Sequence, residues 1–168
     1  MKIDNAITAE KNTVQIGIAP HDRRAVADAL SLLLADEHVL YIKLRNYHWN
    51  VMGIHFKPLH ELFEEQYNML NTAIDEIAER IRTLGFFAPG SMQQFQQLTR
   101  LKETGHLDGD ARSMLENLLL DHEALTQIIR HDIDMALDEH HDVGTSDFLT
   151  GLLESHEKMA WMIRAHLG

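Results

Sequence analysis

The sequence predicts an all-α fold, a four-helix bundle with a short extra helix between the second and third long helices. Three observations predict it. Leucine occurs 23 times against five valines, and glycine (9) and proline (3) are sparse, below the average usage of about 7% and about 5%. Four long stretches repeat apolar residues every three or four positions. Breaks containing glycine or proline separate them at spacings that suit bundle connections. At 168 residues the chain makes one domain, read as residues 21–168 behind an aperiodic segment, 1–20, read as a mobile arm.

The elements follow in order. The arm ends in Ala19-Pro20, where proline biases the residue before it out of helix. From Asp22 to about Asn50, Val26, Ala29, Leu30, Leu33, Leu34, Val39, Leu40, Leu44 and Tyr47 hold a helical period, and Gly53 stops it. A second helix spans about 57–84, with Pro58 in its first turn, Leu59, Leu62, Phe63, Met69, Leu70, Ala73, Ile77 and Ile81 on one face, and Gly85 as a C-cap. After Ala88-Pro89-Gly90, Ser91 caps a short helix through Leu98. A third long helix covers about 110–138, and Thr145 or Ser146 caps a fourth carrying Phe148, Leu149, Leu152, Met159, Met162 and Ile163. Trp161 reads as core beside Met159 and Met162.

Composition removes whole classes of function. With no cysteine, disulfide scaffolds, zinc fingers, iron–sulfur centres and thiol nucleophiles are excluded, and any metal must be held by nitrogen and oxygen. The net charge is −11, which disfavours a general phosphate-binding surface. The longest apolar stretches, such as Leu118 to Leu120, fall far short of the roughly 18 residues of a membrane span, and no leader-like apolar region follows the N-terminus. The expectation is a soluble, cytoplasmic protein. No Gly-rich phosphate loop, Gly-x-Ser-x-Gly elbow or His-Glu-x-x-His motif occurs, since His122-Glu123 and His156-Glu157 lack the second histidine. The one Glu-x-x-His, Glu103 to His106, contains glycine and falls in a predicted loop, against an intrasubunit di-iron centre.

The sequence holds twelve histidines. His21, His106, His140, His141 and His166 fall at predicted helix ends or loops and read as solvated or capping residues. The second helix carries the sharper pattern. His60 and Glu64 are four apart, as are Asp75 and Glu79, so each pair projects from one face. At about 100° per residue all four fall within about a quarter of the helix circumference. Glu64 and Asp75 are nevertheless about 16 Å apart along the axis, so one copy of the helix cannot bring both pairs to one ion. Two copies can, because both pairings, His60 with Glu79 and Glu64 with Asp75, are symmetric about the midpoint between Met69 and Leu70. An antiparallel crossing there in a two-fold dimer makes two composite sites. Spacing alone equally allows an ordinary solvated helix face.

The string His48-Trp49-Asn50-Val51-x-Gly53-x-x-Phe56-x-x-Leu59-His60-x-x-Phe63-Glu64, followed by Asp75-x-Ile77-Ala78-Glu79-Arg80-Ile81 and Leu84-Gly85, resembles the Dps family of ferritin-like mini-ferritins. The helix order and the segment from Asp147-Phe148-Leu149 to His156-Glu157-Lys158-Met159-Ala160-Trp161 resemble it too, over about residues 21–166. The resemblance implies a ferritin-like bundle in a hollow homo-dodecamer with ferroxidase sites at two-fold interfaces. It implies His48, His60 and Glu64 from one subunit and Asp75 and Glu79 from its partner as metal ligands. Glu64 departs from the aspartate of many members. Fe(II) is the implied metal, though zinc, manganese and cobalt are admissible by ligand type.

The resemblance further implies oxidation of Fe(II), preferably by hydrogen peroxide over dioxygen, and storage of ferric mineral inside the shell. Trp49 is then an electron or radical sink near the metal, or else an interface anchor. Asp138, Asp142 and Asp147 match the region that lines three-fold pores in the family, where repeated acids would focus cations. The alternative function is a nucleoid-associated structural protein that coats DNA. The N-terminal arm argues against it, because Lys2 and Lys11 are balanced by Asp4 and Glu10, and only His166-Leu167-Gly168 forms a tail. Direct DNA binding is therefore not expected at neutral pH.

Overall fold

The computed structural model describes residues 14–103 and 108–168. These form α1 (Pro20–Asn50), α2 (Phe56–Thr83), a short α3 (Met92–Leu98), α4 (Ala111–Asp134), a π-helical turn (Met135–Glu139) and α5 (Val143–Leu167). The all-α bundle and the extra helix before the third long helix are as expected. Among the described residues, no helix is long and apolar enough to cross a membrane. Most of the expected arm, residues 1–13, lies outside the described residues, as does His106.

Pro20 opens α1 rather than preceding it. Its missing N–H would be unpaired at a first helical position in any case, and the bias against helix falls on Ala19 alone. Arg23 then ties the start of α1 to the end of α2, donating to the carbonyl of Leu84 at 2.6 Å. Gly85, with φ +94°, lets the chain leave α2 there, and an added Cβ would meet Val14 Cγ2 at 2.7 Å. Residues just before α1 are thus packed against this corner.

Contacts at the two ends define the topology. Met52 N–H donates to the Gly109 carbonyl at one end, and His140 bonds Asp22 at the other. So α4 runs antiparallel to α1, as α2 does, and α2 and α4 run parallel through a long crossover that carries α3. Asp36 of α1, fully buried, anchors this crossover. It accepts from Thr99 Oγ1 at 2.9 Å and the Arg100 backbone at 2.5 Å, and it pairs with the Arg100 guanidinium at 2.7 Å. Buried Leu30, Leu34, Leu44, Phe63, Leu70, Ile77, Leu118, Leu125, Ile129 and Ile163 fill the space between the four long helices.

Two local readings are corrected. The cap of the last helix is Asp142, not Thr145 or Ser146; its carboxylate accepts the Thr145 N–H at 3.0 Å and the Thr145 hydroxyl at 2.6 Å. A carboxylate three residues upstream serves better than a hydroxyl, and both hydroxyl residues lie buried in the first turn. The run ending near residue 138 widens into the π turn, where His140 N–H reaches back to Met135 and Asp142 N–H to Ala136.

Candidate metal centre

The short loop after Asn50 folds α2 back along α1, so that the end of one helix faces the start of the other. His48, His60 and Glu64 meet there, with one possible ligand atom from each lying within 4.8 Å of the others. Each imidazole is oriented by the opposite helix. His48 Nδ1 is 2.8 Å from the His60 carbonyl, and His60 Nδ1 is 2.7 Å from the His48 carbonyl. A carbonyl only accepts, so both Nδ1 atoms carry hydrogen and both Nε2 atoms keep a lone pair for a metal. The rings stack at 3.7 Å with 19° between planes.

Aromatic groups fix this arrangement further. Phe56 lies 5.1 Å from the His60 ring, and Tyr67 meets the His48 ring edge-on at 5.3 Å. The Tyr67 hydroxyl donates to Glu64 Oε1 at 3.2 Å. Burial first, then the Glu64 charge, raises the Tyr67 pKa, so the hydroxyl keeps its proton. Arg45 sits over the Tyr67 and Trp49 rings, at 4.9 and 5.1 Å. Sequence reading missed Tyr67, although it follows Glu64 by three residues and His60 by seven on the same face.

Asp75 and Glu79 stand exposed farther along α2. They line an open groove with His38 and Phe95. Within one chain they are not part of the three-residue cluster, whose exposed carboxylate and two free ring nitrogens leave coordination positions open. His38 was also missed. It uses the same orienting device, with Nδ1–H donated to Leu34 at 2.8 Å and the ring stacked on Phe95 at 3.7 Å.

The remaining candidates separate by exposure. Trp49 is exposed, in a row of apolar side chains with Met52, Ile54 and Phe56 around the same loop. Asp138 and Asp147 are exposed, but Asp142 is 1% exposed, capping α5 and pairing with Arg80 at 2.7 Å. Its charge is committed inside the subunit, which corrects its reading as a pore-lining acid. His140 likewise pairs with Asp22 at 2.8 Å instead of being solvated. Trp161 is 62% exposed, not core; two residues beyond buried Met159, it falls about 200° around the helix.

A helical bundle with a long crossover and an imidazole–carboxylate cluster on the outward face of its first helix pair defines a class, and sequence and structure comparisons agree with it. The profile of the ferritin-like domain matches residues 27–168. A DNA protection during starvation protein of Bacillus anthracis is 36% identical over 144 residues, covering 86% of this chain and 97% of that one. An uncharacterised low temperature-induced protein of a Nostoc species is 46% identical over 154 residues, covering 92% and 86%. The crystal structure of the Dps protein of Vibrio cholerae, described as a member of the ferritin-like diiron-carboxylate proteins, superposes with a TM-score of 0.88 at 33% identity, covering 95% of this chain and all of that one. The chain belongs to the ferritin-like family and, within it, to the Dps family.

Proposed function

We propose that this chain is the subunit of a cytoplasmic homo-dodecameric shell that oxidises Fe(II), preferably with hydrogen peroxide, and stores the ferric product, thereby protecting DNA. The observation that carries this reading is the half-site of His48, His60 and Glu64, with both Nε2 lone pairs preset and an exposed carboxylate beside them. Asp75 and Glu79 of the partner subunit complete it across a two-fold axis. The exposed row of Trp49, Met52, Ile54 and Phe56 supports burial of this end against another copy, and Trp49, next to His48 in the chain, would pass an electron.

In this reading the backbone carbonyls orient the imidazoles, Tyr67 holds Glu64, and the carboxylates neutralise the charge of the bound substrate iron. Peroxide takes one electron from each of two Fe(II) ions and two protons, giving water without releasing hydroxyl radical. Zinc, manganese or cobalt compete at the same nitrogen and oxygen donors. Exposed Asp138 and Asp147 draw cations towards a pore. Protection of DNA comes from removing iron and peroxide, since a shell of chains at −11 each repels duplex DNA at pH 7.5.

The test is complementation. Light scattering should give about 230 kDa for the 19.3 kDa chain. His60→Ala and Asp75→Ala should each abolish fast ferric absorbance after anaerobic Fe(II) loading and peroxide addition, with the shell intact. Refolded hybrids of the two should regain part of it, because some interfaces pair two intact halves. Hybrids as inactive as their parents, with mixing confirmed by mass, sink the intersubunit site. A salt-sensitive gel shift by the metal-free shell at pH 7.5 would favour DNA coating instead.

A further inference from the structure

Arg45 of α1 is a cation fixed in direction but not paired with an anion. Its guanidinium lies 4.9 Å from the Tyr67 ring centroid, 5.1 Å from that of Trp49 and 5.7 Å from that of Tyr41, and its Nη1 donates to the Tyr41 hydroxyl at 2.9 Å. Rings and hydroxyl attract the charge without neutralising it. Among the described residues, no carboxylate lies within ion-pair distance of it. Lys43, two residues earlier, is by contrast paired with Asp121.

The register of the first helix pair shows what Arg45 faces. His48 and His60 bond each other's backbone carbonyls, which sets them at one level of the antiparallel α1–α2 pair. Tyr41, seven residues before His48, meets Tyr67, seven after His60, with ring centroids 6.0 Å apart, so the register holds over two turns. Arg45, three before His48, therefore stands level with Phe63 and Glu64, and Tyr67 bridges it to the Glu64 carboxylate. On the two-fold arrangement of the proposed function, on which this inference rests, Glu64 lies opposite the partner's Asp75. The composite site then gathers three carboxylates, those of Glu64 and of the partner's Asp75 and Glu79, around two imidazoles with open Nε2 atoms. With no ion bound, like charges oppose each other across the subunit boundary and weaken it.

We propose that Arg45 is a positioning residue of the composite site: in the empty site its guanidinium pairs with the partner's Asp75 and holds the two subunits together, and an entering divalent ion displaces it. Nη1 is used on Tyr41, which leaves the Nη2 edge for a carboxylate in the fork geometry that arginine favours. Ion binding and the Arg45 pairing then compete for one carboxylate. Arg45 accordingly keeps the empty site closed and loosens the site's hold on its ion.

The experiment uses the full-length shell after chelation, without iron. In light scattering on dilution, Arg45→Gln should dissociate at a concentration at least about 10-fold higher than the unmodified chain, and Arg45→Lys, which keeps the charge, should recover most of the difference. In an Asp75→Asn background, where the anion served by Arg45 is gone, Arg45→Gln should change the dissociation concentration by no more than about 2-fold. Calorimetric titration with Co(II), at concentrations where both shells are assembled, should show Arg45→Gln binding about 10-fold more tightly than the unmodified chain. A merely structural loss of ring packing would not tighten an ion. Equal effects of Arg45→Gln in the two backgrounds overturn the proposal, as does unchanged or weaker Co(II) binding. If Arg45→Gln alone never assembles, assembly of Arg45→Gln/Asp75→Asn supports the pairing and its failure overturns it. Where these tests fail while the His60→Ala and Asp75→Ala hybrids regain activity, the Arg45 pairing falls and the two-fold site stands; an unmodified chain that stays monomeric overturns both.

Discussion

The two histidine–carboxylate clusters of this chain use the same residue types to opposite ends. At the α1–α2 end, His48, His60 and Glu64 are graded from buried to exposed, and each ring spends one nitrogen on a backbone carbonyl while the other stays open. In the bundle interior, Glu37, His156 and His122 bond to one another and are wholly buried. An open cluster leaves its ring nitrogens free for an incoming group, whereas a closed chain of bonds satisfies its members from within. Exposure, more than residue type, separates a cluster open to a ligand from one whose polar groups bond to each other.

That contrast can be broken most strongly in the interior. His156→Ala strands the Glu37 carboxylate and should cost about 3–5 kcal/mol of unfolding free energy by denaturant titration. Replacing Glu37, His122 and His156 together by leucine should instead be neutral or stabilising by about 1–4 kcal/mol. Equal losses in both variants would mean that the buried charge is not the issue. The reverse profile is expected outside. His60→Ala should slow Fe(II) oxidation at least about 100-fold while costing no more than about 1.5 kcal/mol of stability, the worth of its hydrogen bond to the His48 carbonyl.

A smaller version of the same contrast lies in the acids after α4. Asp142→Ala should cost about 1–2 kcal/mol, because it removes the cap of α5 and the partner of Arg80. Asp138→Asn with Asp147→Asn should leave stability unchanged and slow iron uptake at low ionic strength more than at high, since salt screens focusing. Uptake kinetics that ignore both the substitutions and the salt would locate the passage elsewhere.

The smallest expected effect is on pH dependence. Burial of His38 lowers its pKa, with its bond to Leu34 and the Glu37 charge opposing. At His38 the unfolded chain therefore binds a proton first as pH falls through about 6.5, so this residue's contribution to stability is constant above that value and declines below it. His38→Leu should shallow the decline between pH 6.5 and 5.5 in thermal melts without removing it, because His122 is shifted in the same direction.

Much of this was legible in the residues. Apolar spacing and turn residues placed every helix within a few residues, because the bundle buries one continuous stripe per helix and periodicity reports that stripe directly. The pairs His60/Glu64 and Asp75/Glu79 were visible for the same reason, as i, i+4 neighbours on a polar face. Even the interior cluster left a trace: His122 lies four residues after Leu118 and three before Leu125, and His156 four after Leu152 and three before Met159, both on buried faces.

What only the tertiary structure decided was which side chains from different helices meet. His48 reaches His60 because α2 folds back on α1, Tyr67 reaches Glu64 within that corner, and Glu37 reaches His156 across 119 positions of chain. Asp142 pairs with Arg80 because α2 brings that guanidinium beside it, and Trp161 faces outward because its helix turned Met159 inward. Periodicity is a property of one helix and is written along it. The partner of each polar atom depends on the rotation and register of a second helix, which packing of the whole core selects and no local spacing encodes.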